Sequence, residues 1–335
     1  MRFTRMIVTA ATARWVDAAV SAFTGYGTSV IQCDAEVGLE RLLDSSETFD
    51  NRPGASMLAF GFSSETLAEA IGKRSGQCLM TCATTAVFDG YPRQQYIEDQ
   101  QRLLEQKKKT DAKKSAKAAQ VDDAAAVQTE QSEGTAASAR EIEPQKRIPV
   151  GSHLRFFGDG FQKSKMLGER RFWRIPVMDG EFIVEQDVGV GKGVAGGNFL
   201  IQSVDQMTGL EAAERAVDAI AVLPNVITPF PGGVVRSGSK VGSRYKGMVA
   251  STSHPYCPTL RGRVESQIHP DASCVYEIVI DGTDFESVAK AMRVGIHAAV
   301  GEGIVSIGAG NYDGKLGKHQ FPLHQILEED AEQTG

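Results

Sequence analysis

The stretch CVYEIVI, residues 274–280, sets a carboxylate in the middle of an apolar run. Strand alternation puts Cys274, Tyr276, Ile278 and Ile280 on one face and Val275, Glu277 and Val279 on the other. A glutamate flanked by valines is costly as an anion unless it is paired or takes up a proton. Two readings follow. In the structural one, Glu277 pairs with an Arg or Lys on a neighbouring element or subunit. In the functional one, it is a desolvated carboxyl with a raised pKa that carries a proton near neutral pH.

Three Gly-rich stretches follow or precede strands and could present backbone N–H groups to a ligand. GKGVAG, Gly191 to Gly196, matches G-x-G-x-x-G but leads into a strand rather than a helix. A dinucleotide site needs the helix N-terminus to hold the pyrophosphate, so that reading is rejected. The stretch also lacks the Gly-Lys-Ser/Thr ending of a P-loop. A tight lobe junction and a ligand contact both remain open. TPFPGG (Thr228 to Gly233), with RSGSK just after it, and GAGNYDGKLG (Gly308 to Gly317) read either as plain turns or as the walls of a cleft.

The six histidines show no H-E-x-x-H or H-x-H spacing, and His297 lies on the polar face of its helix. There is no G-x-S-x-G elbow, no metal-ligand cluster and no Cys–His arrangement by spacing. An enzyme built on this sequence is expected to use neither a protein-bound metal nor a serine triad.

The elements that must hold these residues form one pattern used twice. In the second copy GNFLIQSVD is a strand and TGLEAAERAVDAIAVL a helix, opened by the box Thr208-x-x-Glu211. NVITPF and CVYEIVI are the next strands. DFESVAKAMRVGIHAAV is a helix opened by Thr283-x-x-Glu286, with Phe285, Val288, Ala289, Met292 and Ile296 as its core stripe. GIVSIGAGN is the last strand. The first copy runs RMIVTAA, the helix TARWVDAAVSAFTGYG, TSVIQC, ASMLAFGF, the helix SSETLAEAIGKR and CLMTCATTAVF. Both read βαββαβ, and the fold class is α+β with two ferredoxin-like lobes. HLRFFGDGF, RRFWRIPVM and GEFIVEQDV add strands between them. The expected organisation is an N-terminal lobe over 1–92, an insertion over 93–147, a β-rich connection over 148–190, a C-terminal lobe over 191–327 and a tail over 328–335.

The insertion, read through QKKKTDAKKSAKAAQVDDAAAVQTEQSEGTAASAREIEP, has almost no aromatic or β-branched anchors. Its composition predicts disorder, with a frayed helix near 101–117. The chain has 335 residues, 41% apolar and 23% charged, which suits a soluble globular protein with a sizeable core. A net charge of -6 argues against nucleic acid as the main partner. No apolar run is long enough for a membrane span, and the start does not read as a signal peptide. Five cysteines without C-x-x-C fit reduced thiols in a cytoplasm.

Long stretches then carry a resemblance: TGYGTSVIQCDAEVGLERL, TTAVFDG, RFFGDG, GVAGGNFLI, TPFPGGVVRSGSKVG, CVYEIVIDG and GAGNYDGKLGKHQF. The sequence resembles the formylmethanofuran–tetrahydromethanopterin formyltransferase family over nearly all of the chain outside the insertion. That family includes the homologous subunit of bacterial formyltransferase/hydrolase complexes. The resemblance implies two ferredoxin-like lobes and a homo-oligomer, dimer or tetramer, with a cleft near a subunit interface. It implies formyl transfer between the amine of methanofuran, or an analogue, and a ring nitrogen of tetrahydromethanopterin. These serve as co-substrates, without a metal or prosthetic group. It places the acid/base glutamate at Glu277 and so favours the functional reading.

Substrate contacts are expected from Gly196, Gly197, Asn198, Phe230, Gly232, Gly233, Ser239, Asn311, Tyr312 and Lys315. The oxyanion would be steadied by amides of Gly196–Gly197, Gly232–Gly233 or Asn311–Tyr312. Partners are the small-molecule coenzymes and other subunits of such a complex. Two departures stand out. Family chains carry a further segment before the first strand, so either the true start lies upstream of Met1 or an edge strand is lost. The charged insertion is also unusual; it inclines the reading to the bacterial setting. The alternative function is a non-catalytic scaffold subunit.

Overall fold

The computed structural model describes residues 1–91, 146–238, 240–310 and 319–328. The expected insertion falls almost wholly outside these residues, and so does its frayed helix. In the first lobe β1 (Arg2–Thr9), α1 (Ala13–Thr24), β2 (Glu36–Leu43), β3 (Gly54–Gly61), α2 (Ser64–Arg74) and β4 (Ala86–Asp89) follow in order. The strands lie side by side as β2-β3-β1-β4, each antiparallel to its neighbour. Met6, Val8, Met57 and Ala59 turn one sheet face toward Val16, Ala19 and Phe23 of α1 and Leu67 and Ile71 of α2. This is the period-2 and period-3.6 pattern meeting in one core.

Lys146 is followed by β5 (Arg147–Ile148), the short helix α3 (Val150–Leu154), β6 (Lys163–Leu167), β7 (Arg170–Val177), β8 (Gly180–Glu185), β9 (Val188–Gly189) and β10 (Gly191–Lys192). β8 pairs parallel to β4, and the β8-β7-β6 meander extends the first sheet. β10 pairs with β1 beyond the end of β4, so Gly191 and Lys192 belong to the first sheet. Arg147 lies in a strand, ion-paired to the buried Asp89 and to Asp187.

The second lobe repeats the first. β11 (Val194–Ser203), α4 (Gln206–Ala221), β12 (Val226–Ile227), β13 (Lys240–Val241), β14 (Ala250–Ser251), β15 (Cys274–Gly282), α5 (Phe285–Ala299), β16 (Ile304–Gly308) and α6 (Leu323–Glu328) follow in order. Its sheet order, β12-β15-β11-β16, is again second, third, first, fourth. Phe199, Ile201, Tyr276, Ile278 and Ile280 face Ala213, Ala216 and Ile220 of α4 and Val288, Met292 and Ile296 of α5.

Several expected elements differ. TSVIQC is a turn: Gln32 and Cys33 donate to the Ser29 carbonyl, and the strand starts at Glu36. CLMTCATTAVF contributes only Ala86, Val87 and Phe88 to the strand Ala86–Asp89, because α2 runs on into a wider turn over Ser75–Leu79. NVITPF keeps only Val226–Ile227, ended by the prolines that cannot extend a ladder. Neither expected capping box forms. Asp205 caps α4 by accepting from Met207 and Thr208, and Asp284 caps α5 by accepting from Ser287. A carboxylate just before the helix is a strong acceptor and moves the start to itself. Phe285 is 39% exposed rather than core, its ring stacked on Phe321 at 4.6 Å.

The lobes meet through Phe3, Leu58, Phe60 and Tyr91 of the first and Ile227 of the second. Beside them Arg5 donates from Nε and a terminal nitrogen to Glu40, each at 2.8 Å, and to Oδ1 of Asn225 at 2.7 Å. The Asn225 N–H donates back to Glu40 at 2.9 Å.

Candidate active site

Glu277 is held at mid-strand on both sides. Leu200 of β11 lies opposite it. On the other edge its backbone exchanges two hydrogen bonds with Val235, at 2.7 and 3.1 Å. Asn198, Leu200, Gln202, Val275, Glu277, Val279 and Asp281 share the sheet face turned away from the helices, as alternation requires. The polar members of this face are deeply buried: Glu277 is 3% exposed and Asn198 8%. Nδ2 of Asn198 donates to Oε1 of Glu277 at 2.7 Å. The pair is diagonal, since Asn198 lies opposite Val279.

The 228–273 excursion between β12 and β15 lies beside this face through three links. Val235 bridges to Glu277. Gln202 donates to the Gln267 carbonyl at 3.3 Å and accepts from the His269 N–H at 2.7 Å. The third is Tyr256, half-buried and close enough to Glu277 that burial first, and the carboxylate charge second, raise its phenol above its ordinary 10.0. The phenol therefore stays a hydrogen-bond donor across neutral pH. Nearby on the same excursion Nζ of Lys240 lies 3.2 Å from Nδ1 of His254.

The other expected contacts are placed as follows. Gly196 adopts φ +87 in a β-bulge of β11, and its N–H donates to Oδ1 of Asp281 at 2.9 Å. Gly197 packs on α5: a Cβ there would lie 2.4 Å from Cγ1 of Val288. Phe230, Gly232 and Gly233 form the turn after β12, and a Cβ on Gly233 would lie 2.7 Å from Val217. Two expected oxyanion glycines thus have a packing role, which the chain needs whether or not they touch substrate. Ser239, Asn311, Tyr312 and Lys315 lie outside the described residues. Among the described residues no group of three His, Cys, Asp or Glu could hold a metal ion.

Three buried or half-buried groups at this face were not anticipated. Asp281 was legible, since it lies four residues along the strand from Glu277 and so on the same face. Tyr256 and Glu36 had no local signal. Glu36 comes from the first lobe and reaches Asp281 across the junction, both well buried. Burial raises both carboxyls, and at Asp281 the Glu36 charge adds to it.

Comparison with known proteins completes the picture. The family model for formylmethanofuran-tetrahydromethanopterin formyltransferase matches residues 1–118 and 127–177, and that for its proximal lobe matches 180–326. The formylmethanofuran–tetrahydromethanopterin formyltransferase of Methylococcus capsulatus is 45% identical, covering 98% of this chain and 94% of its own. The Methanosarcina barkeri formyltransferase structure superposes with a TM-score of 0.77 at 41% identity, covering 97% of this chain and 94% of that one. The formyltransferase/hydrolase complex of Methylorubrum extorquens, solved with methylofuran, contains a chain matching at TM-score 0.78 and 40% identity, covering 98% of this chain and 93% of that one. The chain belongs to the formylmethanofuran–tetrahydromethanopterin formyltransferase family.

Proposed function

We propose that the protein transfers a formyl group between methanofuran, or an analogue such as methylofuran, and tetrahydromethanopterin, with Glu277 as the acid/base. The observation that carries this is a carboxyl 3% exposed at mid-strand, flanked by valines and hydrogen-bonded by the Asn198 amide. In one direction a ring nitrogen of the pterin attacks the formyl carbon and a tetrahedral oxyanion forms. The Glu277 carboxylate takes the proton of the attacking nitrogen. It then gives that proton to the methanofuran nitrogen as the carbon–nitrogen bond breaks and the carbonyl re-forms. One carboxyl serves both steps because a proton taken in the first is returned in the second. The reverse direction uses the same groups. The Tyr256 phenol is a donor available to the oxyanion. Expected surroundings are a cytoplasmic homo-oligomer, associated with hydrolase subunits as in the Methylorubrum complex.

The test is formyl transfer by the purified chain in both directions, with wild type and Glu277→Gln side by side and circular dichroism on each. Glu277→Gln should fold and lose about 10²- to 10⁴-fold in rate, the usual contribution of a positioned acid/base. A folded Glu277→Gln that keeps most of its rate sinks the proton-transfer role. A folded wild type inactive alone and with added hydrolase subunits leaves the scaffold reading.

A further inference from the structure

We propose that Asn198 is a positioning residue for the Glu277 carboxyl, an amide that can satisfy that group in both of its protonation states. The proposal rests on the reading of Glu277 as acid/base. A carboxylate only accepts, so the contact at 2.7 Å fixes the amide with Nδ2 toward Oε1. Once the carboxyl is protonated it has an O–H to donate, and a half-turn of the same amide offers Oδ1 instead. An arginine in that place would favour only the anion, and an apolar side chain would serve neither form. Both side chains are buried, so bulk water is a poor substitute.

The backbone is built to deliver this contact. The register of β11 against β15 shifts between Val194 and Gly197, one residue before Asn198. The shift is pinned by Asp281, which accepts from the Gly196 N–H at 2.9 Å while Gly196 takes φ +87. A slip of one residue would turn Asn198 to the helix face and bring Phe199 to the carboxyl. The sequence suggested that Asn198 contacts substrate; its amide nitrogen is engaged with Glu277.

The experiment compares Asn198→Leu, Asn198→Asp, Glu277→Gln and the double variant Asn198→Leu/Glu277→Gln in the full chain. Steady-state kinetics with both coenzymes are followed from pH 5 to 9, with melting temperatures as the fold check. Asn198→Leu should lower kcat about 10- to 100-fold while both KM values stay within about twofold, the signature of a contact that matters in the transition state. Its lower pH limb should move up by about one unit, because of the amide's two bonding modes the charge-assisted one, to the ionised carboxyl, is the stronger and is lost. Asn198→Asp should move that limb the same way through like charge, and it decides the matter if the leucine variant does not fold. In the Glu277→Gln background the leucine substitution should cost nothing further. A raised KM with kcat intact, an unmoved pH limb, or an additive double variant overturns the proposal. A fully active Glu277→Gln instead removes the parent reading, whatever Asn198 does.

Discussion

Glu36 of the first lobe and Asp281 of the second meet as two buried carboxyls at the lobe junction, with Asp281 wholly inaccessible. The Val30 N–H donates to Glu36 at 3.1 Å, and Gly196 donates to Asp281. Two adjoining carboxyls cannot both ionise cheaply, so the pair holds a proton. Asp281 also pins the bulge that sets Asn198, so the junction and the candidate acid/base share one strand.

The pH consequence follows in sign. Asp281 is raised well above its ordinary 3.8 by burial and then by the Glu36 charge. A raised carboxyl stabilises the fold fully below 3.8 and loses that contribution as pH rises through its folded value. Asp281→Asn keeps an acceptor for Gly196 and has no charge to bury. Relative to wild type, it should therefore gain stability between pH 5 and pH 9. Urea melts at several pH values measure this; a difference that is flat with pH would show that no proton is held there.

The Arg5–Glu40–Asn225 cluster works in the opposite sense. Burial pushes the Glu40 carboxyl up, but the Arg5 hydrogen bonds and charge, Ser56 and the Asn225 N–H outweigh it and hold it below 4.5. Its stabilisation is present above 4.5 and fades as pH falls through the folded value. Arg5→Met should cost about 3 kcal/mol at pH 7, because it strands a buried carboxylate. The cost should shrink toward pH 3, as chemical denaturation across pH would reveal. Arg5→Lys should recover little, since it loses the bidentate geometry.

Gly197 separates packing from substrate contact. An alanine there brings a Cβ to 2.4 Å from Val288, which is fully buried. Gly197→Ala should destabilise by about 1–3 kcal/mol through overpacking. KM should hold in the folded fraction. A stable variant with raised KM would instead place Gly197 against substrate.

Tyr256→Phe removes one donor beside Glu277 and little volume. It should slow transfer about 10- to 100-fold if the phenol reaches the oxyanion. The melting temperature should change little, because Tyr256 is only half-buried. An unchanged rate would confine Tyr256 to lining the site.

Alternation alone placed Glu277 between valines and Tyr276, Ile278 and Ile280 on the opposite face of β15, because period-2 geometry is local. The repeated βαββαβ order was legible for the same reason: each strand and helix carries its own apolar period. The short strands were not. β12 keeps two residues and β4 four, because neighbouring pairing and prolines, rather than composition, set their ends. The partner of Glu277 was beyond reach as well. Asn198 is 79 residues away in sequence, and a bulge decides which face it takes. Glu36 and Asp281 are brought together by lobe packing, and Tyr256 by an excursion tied down through Gln202. The sequence by itself determined that Glu277 would sit among apolar side chains, since its neighbours are covalent. Only the tertiary structure decided what touches it, since strand register and lobe contact are long-range choices.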